Sequence, residues 1–199
     1  MNTEAQFRLI LKAKRTLARD PQSSPELLEA LSRDEADVVR WEVAKNPSTP
    51  LHVLEELAYH DDEFVRTGVA LNPSAPPHLL EVLAQSAELG VRAAVAANPN
   101  TPPSLLEAML EDDAPLVREG LSRNRNAPVA ILVKILLEDP NPFLIALAAE
   151  NLAQRLDELP EDPKLFRTIW RCLPLDRKTL EALPIWKRAM GKTEERRDP

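Results

Sequence analysis

The chain has 199 residues, a net charge of −7, 19 prolines and only four glycines, and aromatic residues make up 4% of it. So few glycines argue against hairpin-rich β structure, whose tight turns favour glycine, whereas many prolines suit short helices with sharp ends. The single cysteine, Cys172, excludes a disulfide framework and a multi-cysteine metal site within one chain.

Charge is distributed unevenly along the chain. Residues 1–20 contain five basic and two acidic side chains, residues 164–199 contain ten and five, and residues 21–163 contain ten and 25. An acidic centre repels the phosphate backbone of nucleic acids and attracts basic partners. No apolar run approaches the length of a membrane span and no signal-peptide pattern opens the chain, so we expect a cytoplasmic protein.

The first predicted element is a helical cap over residues 1–20, which also begins the first repeat. Phe7, Ile10, Leu11 and Leu17 recur at helical spacing among the basic side chains. A terminal element of a repeat array packs one face on its neighbour and turns the other to water, which an amphipathic helix allows.

Residues 21–138 repeat one motif every 26 residues, in units that begin near 9, 35, 61, 87 and 113. Val39-Arg40 returns as Val65-Arg66, Val91-Arg92 and Val117-Arg118; Asn46-Pro47 returns as Asn72-Pro73, Asn98-Pro99 and Asn124-Arg125. A constant period in this range is typical of a solenoid.

Each unit is predicted to form two short helices. The first ends at the asparagine, because a residue before proline is disfavoured in the α region and asparagine tolerates left-handed geometry. The second starts near Pro50, with Ser48 or Thr49 as its N-cap. Its apolar stripe cannot be buried by two helices of this length, so neighbouring units must cover it.

The last part of the chain departs from the repeat. Residues 139–190 are predicted to hold a degenerate repeat and a C-terminal helical cap, with Phe166, Trp170 and Trp186 closing the core. Residues 191–199 are predicted to be a disordered tail.

The recurring pattern VRxxVAxNPxTPxxLLExLA resembles the leucine-rich repeat variant family over about residues 9–138. The resemblance implies a right-handed superhelix of stacked short helices, α in one layer and often 3-10 in the other, that serves as a binding scaffold. The repeat here is slightly longer than the family's usual one, which allows both layers to be α-helical. The family's founding type also carries a cysteine-rich iron–sulfur segment, and Cys172 alone supplies no ligand set for that cofactor.

Stacking turns equivalent positions into rows, about 8–10 Å apart. Two rows are predicted to be structural: Arg40, Arg66, Arg92 and Arg118, pairing with nearby carboxylates rather than binding phosphates, and Asn46, Asn72 and Asn98, bonding backbone at turns. A third row, Glu29, Glu55, Glu81 and Glu107, is either a solvated face or an acidic ridge for a basic partner. Trp41 and Tyr59 stand at variable positions and are candidate interface anchors, with inter-unit packing as the alternative.

The sequence contains no pattern typical of catalysis, such as G-x-S-x-G, H-E-x-x-H or a glycine-rich phosphate loop. His52 and His78 occupy equivalent positions, but two imidazoles without a third ligand do not make a metal site. We therefore predict a non-catalytic, all-α repeat scaffold, without cofactor or metal, that binds a protein or peptide of basic character. The alternative is nucleic-acid binding through the basic termini, where LFRTIWRC and PIWKRAMGK interleave basic and aromatic residues.

Overall fold

The computed structural model describes residues 3–159 and 162–173. Its α-helices are α1 (Thr3–Arg19), α2 (Pro25–Ser32), α3 (Asp37–Lys45), α4 (Leu51–Ala58), α5 (Glu63–Leu71), α6 (Pro77–Leu83), α7 (Leu89–Ala97), α8 (Pro103–Met109), α9 (Pro115–Arg123), α10 (Val129–Glu138), α11 (Pro142–Ala153) and α12 (Pro163–Ile169). Short 3-10 helices occupy Leu156–Glu158 and Trp170–Cys172. No strand occurs within these two ranges, and the fold is all-α.

The helices form two layers. Helices α1, α3, α5, α7, α9 and α11 pack side by side and are called layer one, whereas α2, α4, α6, α8 and α10 form layer two. Each 26-residue unit contributes one helix to each layer, and the units stack in chain order. This arrangement confirms the predicted solenoid of short helix pairs. Layer two consists of α-helices, as the long repeat allowed.

The core is a continuous column built from equivalent residues. The valines of the Val-Arg motif, Val39, Val65, Val91 and Val117, are all 0% exposed, and the layer-two leucines Leu54, Leu80, Leu106 and Leu132 are at most 1% exposed. Burying one such side chain stabilises a fold by about 1.5–3 kcal/mol. Since each unit covers the apolar stripe of the next, the stack and not the single unit is the stable structure.

Layer-one helices approach one another closely where their side chains are small. A Cβ atom added to Gly68 on α5 would lie 2.8 Å from the Ala44 Cβ on α3, and one added to Gly120 on α9 would lie 2.6 Å from the Ala93 carbonyl oxygen on α7. These distances are shorter than van der Waals contact. The two glycines therefore set the spacing of layer one.

The first helix of each unit ends at an asparagine with extended backbone. Asn46, Asn72 and Asn98 have φ of −71°, −70° and −72° and ψ of 125°, 122° and 128°. Asn124 has φ −72° and ψ 113°, although Arg125 follows it instead of proline. The left-handed geometry expected of these asparagines is not used, because no described residue has a positive φ.

Layer-two helices start at a proline, and the predicted threonine N-cap was wrong. Pro50 and Pro102 are the N-cap residues of α4 and α8 and make no side-chain cap bond. Thr49 Oγ1 instead donates to the Val43 carbonyl oxygen at 2.6 Å, and Thr101 makes the same bond in its own unit. Each buried hydroxyl thus donates a second hydrogen bond to a carbonyl oxygen that already accepts from the backbone N–H of the asparagine at the end of the first helix.

Helix α1 differs from the other layer-one helices. It has 17 residues, against nine in α3, so its N-terminal half extends beyond the stack. Ala18 is buried, but Phe7, Ile10 and Leu17 are 63%, 49% and 44% exposed. The expectation that the apolar side chains of this cap pack together on the first repeat was therefore wrong for these three residues.

Ion pairs fasten α1 to α3. The carboxylate of Glu42, which is 2% exposed, accepts hydrogen bonds from Arg15 at 3.1 Å and from Arg19 at 2.5 Å. Burial would raise the pKa of Glu42, but the hydrogen bonds from Arg19 and Arg15 lower it below the ordinary value of 4.5. The equivalent residues of the later units are Gly68, Ala94 and Gly120, so a charged side chain occupies this position only in the first of these units.

At the other end, the predicted C-terminal cap is described as far as Leu173. Its remaining residues, 174–190 with Trp186, and the predicted tail at 191–199 lie outside the described residues. Among the described helices, none combines the length and apolar composition that a bilayer crossing requires.

Candidate binding surface

The asparagine row lies inside the stack and joins each unit to the one before it. Asn72 Nδ2 donates to the carbonyl oxygens of Ala44 and Asn46, both at 2.7 Å, while Asn72 Oδ1 accepts from the Ser74 backbone N–H at 2.8 Å. Asn46, Asn98 and Asn124 make the corresponding three bonds, and Asn151 Nδ2 donates to the carbonyl oxygens of Ser122 and Asn124. Both amide hydrogens of each asparagine are therefore used within the chain.

The arginine row also has intramolecular partners. Arg92 Nη1 donates to the carbonyl oxygens of Ser86 and Ala87 in the loop that precedes α7, and Arg92 Nε donates to Asp112 of the loop that precedes α9 at 2.7 Å. Arg66 pairs with Glu88, Arg118 pairs with Asp139, and Lys14 occupies the same position in the first unit and pairs with Asp34. The row therefore links consecutive loops of the stack.

Arg40 differs from the others in this row. Its guanidinium pairs with Asp37 and donates to the Asp34 carbonyl oxygen, but its Nε is buried without an acceptor. Asp112, the partner of Arg92, lies 20 positions after it in the sequence. The residue 20 positions after Arg40 is His60. A carboxylate is thus missing at one step of the row.

The glutamate row lies on the outer side of layer two and is electrostatically uneven. Glu29 lies 3.5 Å from His52 Nε2 and 3.1 Å from Arg33, and Glu55 lies 3.6 Å from His78 Nε2. Glu81 and Glu107 are exposed and form no ion pair within the described part of the chain. Since the contacts of Glu29 and Glu55 with the histidines are ion pairs only when the imidazoles are protonated, Arg33 is the one permanently charged partner of the row among the described residues.

The two aromatic candidates lie on different layers. Tyr59 follows α4, on the same layer as the glutamates, and is 68% exposed. Trp41 belongs to layer one and is half-buried beside Gly68, with Lys45 Nζ 4.0 Å from the centre of its ring. Trp41 does not share a surface with the glutamate row, so the six candidate residues do not form one site.

Sequence reasoning missed a row of exposed apolar side chains on layer one. Val38, Phe64 and Leu116 occupy equivalent positions and are 45%, 65% and 44% exposed. Each directly precedes a buried valine of the Val-Arg motif. The two consecutive apolar residues could have indicated this exposed row, because a helix that buries one stripe cannot bury two consecutive apolar residues equally.

The basic residues of α1 are largely committed to partners within the chain. Arg8 pairs with Glu4, Lys14 pairs with Asp34, and Arg15 and Arg19 pair with Glu42. Lys12 alone among the five forms no ion pair with a described residue. Within residues 3–159 and 162–173, no group of three or more His, Cys, Asp or Glu side chains is placed to hold a metal ion.

Stacked helix pairs, buried rows that join the units and exposed rows that vary define an α-helical repeat protein. Residues 39–94 match the sequence profile of the Leucine Rich Repeat Variant domain, and residues 89–114 match that of the Leucine rich repeat variant. A solved structure described as a leucine-rich repeat variant with a novel repetitive protein structural motif is 30% identical to this chain, with a TM-score of 0.51. The match covers 80% of this chain and 65% of that protein's length. No curated protein matches the chain in sequence. The repeats of residues 39–114 belong to the leucine-rich repeat variant family.

Proposed function

We propose that the protein is a non-catalytic scaffold that binds a basic protein or peptide through the glutamate row of layer two. The observation that carries this proposal is the pair Glu81 and Glu107, which are exposed on neighbouring units without an intramolecular counter-charge among the described residues. Two exposed carboxylates on units about 8–10 Å apart match successive lysine or arginine side chains of a partner.

Glu29 and Glu55, the first half of the row, lie on the same surface and are expected to contribute less to the binding of a partner. Glu29 already pairs with Arg33, and Glu55 lies against His78, so a basic partner would have to share these two carboxylates with neighbouring side chains. Tyr59, exposed on the same layer beside Glu55 and Glu56, is a candidate aromatic contact at this end.

Nucleic-acid binding through the N-terminal helix has less support. Four of the five basic side chains of α1 are engaged in ion pairs, and a bound phosphate backbone would have to compete with Glu42 and Asp34 for them. The acidic centre of the chain would repel the rest of a duplex. The basic residues beyond Leu173 lie outside the described residues.

The test is the binding of a short lysine-rich peptide, measured by fluorescence anisotropy at low and at physiological salt. The double variant Glu81→Lys/Glu107→Lys should abolish binding, whereas Glu63→Lys/Glu150→Lys changes the net charge equally at exposed positions of layer one and should retain most of it. Equal losses in both variants would mean that net charge alone attracts the peptide. Equal binding by the Glu81/Glu107 variant and the wild type would remove the row from the proposal.

A further inference from the structure

The glutamate row ends in an apolar groove. Val133 is the residue of the fifth unit equivalent to Glu107, and Leu137 is equivalent to Glu111. Together with Val129, Ala130 and Leu165 they line a groove of about 370 Å³ between α10 and the segment that holds α12. This volume lies at the lower end of the range of about 300–1,000 Å³ for small-ligand sites, which is suited to one large side chain.

The charged groups at the rim of this groove are mostly compensated within the chain. Lys134 Nζ lies 3.1 Å from Glu111 Oε1, and Glu158 accepts two hydrogen bonds from Arg155 at 3.0 and 2.6 Å. The hydrogen bonds from Arg155 hold the pKa of Glu158 below its ordinary value. The groove therefore offers an occupant apolar contact, with one exposed carboxylate at its rim, Glu138, that forms no ion pair with a described residue. Further carboxylates of this kind lie one and two units away at Glu107 and Glu81.

We infer that the partner carries two basic residues followed by one large apolar or aromatic residue, with the three residues evenly spaced along its chain. The apolar or aromatic side chain inserts into the groove. The basic residues lie against Glu81 and Glu107, and the apolar residue reaches Val133 and Leu137. Successive units are about 8–10 Å apart, which equals about three residues of extended chain. The partner motif is thus basic-x-x-basic-x-x-apolar, in one of the two chain directions. This inference rests on the proposed function, because it uses the same glutamate row.

Four synthetic peptides test it: Lys-Ser-Ser-Lys-Ser-Ser-Trp, its reverse, and the two forms in which serine replaces tryptophan. Anisotropy titration of the full chain should give at least about tenfold tighter binding of one tryptophan peptide than of its serine counterpart, since a buried aromatic side chain contributes at least that factor. Equal affinities would overturn the apolar anchor.

The matched variant is Val133→Glu/Leu137→Glu, which gives the fifth unit the residues that the fourth unit has at both positions. It should bind the tryptophan and serine peptides equally and keep the lysine-dependent part of the affinity. A tryptophan preference that survives in this variant would place the anchor elsewhere. A lower melting temperature of this variant, combined with no tryptophan preference in the wild type, would mean that the chain itself fills the groove, and would overturn the inference.

The outcomes separate the inference from the proposed function. If Glu81→Lys/Glu107→Lys abolishes the binding of all four peptides but tryptophan has no effect, the row stands and the groove does not. If none of the peptides binds the wild type, both fail.

Discussion

The side-chain amide nitrogen of Asn98 lies 2.8 Å from the backbone carbonyl oxygen of Asn72, the equivalent residue one unit earlier. The same nitrogen donates to the Ala70 carbonyl oxygen at 2.7 Å, and Asn98 itself is 3% exposed. One amide group thus satisfies two buried carbonyls of the neighbouring unit and, through Oδ1, the Asn100 backbone N–H of its own unit. Each asparagine is therefore a bond between units as well as a turn residue.

The substitution Asn98→Asp should destabilise the fold by about 3 kcal/mol or more, because it removes both donors and places a carboxylate oxygen against two carbonyl oxygens. The acceptor for Asn100 is retained, so the turn itself is preserved. Urea denaturation followed by circular dichroism measures the change in the free energy of unfolding. The control, Asn100→Asp, removes an exposed hydrogen bond to the Pro73 carbonyl oxygen of the preceding unit and should cost less than about 1.5 kcal/mol. Similar costs for the two variants would show that burial of the Asn98 bonds adds nothing to their contribution.

The glycines of layer one should respond to alanine in opposite directions. All have negative φ, so the backbone accepts alanine at each position. Gly90→Ala should stabilise the protein by about 0.5–1 kcal/mol, because its new Cβ would meet only Thr67 Oγ1, at 3.8 Å. Gly120→Ala should destabilise it by about 1–3 kcal/mol, since its Cβ would overlap the Ala93 carbonyl oxygen.

Thermal unfolding of these two variants and of Gly68→Ala provides the measurement. Gly68→Ala should resemble Gly120→Ala, because Ala44 lies against the new Cβ. A gain in melting temperature for all three variants would show that helix propensity outweighs the spacing of layer one.

His60→Asp should stabilise the protein by about 0.5–1.5 kcal/mol by supplying the acceptor that Arg40 Nε lacks. Aspartate fits the loop at position 60. His60 Nδ1 accepts a hydrogen bond from the Asp62 backbone N–H, and Asp112 Oδ1 accepts the equivalent bond from the Ala114 backbone N–H. A double-mutant cycle with Arg40→Met isolates the coupling between the two side chains. His78→Asp, placed beside Glu55 on the surface, should give no gain. Zero coupling between positions 40 and 60 would refute the missing-carboxylate interpretation.

The Arg92–Asp112 pair should make part of the stability dependent on pH. The hydrogen bond from Arg92 holds the pKa of Asp112 below its ordinary value of 3.8, against the opposing effect of partial burial. Because the folded pKa is lower than the unfolded one, the contribution is complete above the unfolded pKa and is lost as pH falls through the folded pKa.

Asp112→Asn should therefore cost about 1 kcal/mol near neutral pH, and the difference from the wild type should shrink below about pH 4. Urea denaturation at several pH values between neutrality and pH 3 tests this. Asp113→Asn is the neighbouring control, because the Asp113 side chain forms no ion pair with a described residue. A cost for Asp112→Asn that stays constant down to pH 3 would rule out the ion pair as its origin.

The sequence was sufficient to predict the helix pairs and their register, because every unit repeats the same buried positions. It was not sufficient to predict what each polar row contacts. Asn98 reaches back to Ala70, and Arg66 reaches forward to Glu88, because these contacts depend on how one unit is displaced against the next. Phe7 is exposed because α1 extends beyond the stack, and this extension cannot be read from the repeat period. The sequence shows that Glu42 stands where the later units have glycine or alanine. It does not show that the partners of Glu42 lie on a different helix.

The asparagine bonds give the stack a direction, like the head-to-tail linkages of a polymer. Every unit offers the next one the same pair of carbonyl oxygens and presents the same amide to the one before, from Asn46 through Asn124. A duplicated copy of residues 87–112, inserted after residue 112, would form the same asparagine bonds with the unit before it and with the unit after it. The number of units can therefore be changed by engineering without redesign of the contacts between units, and each added copy lengthens the stack by one unit.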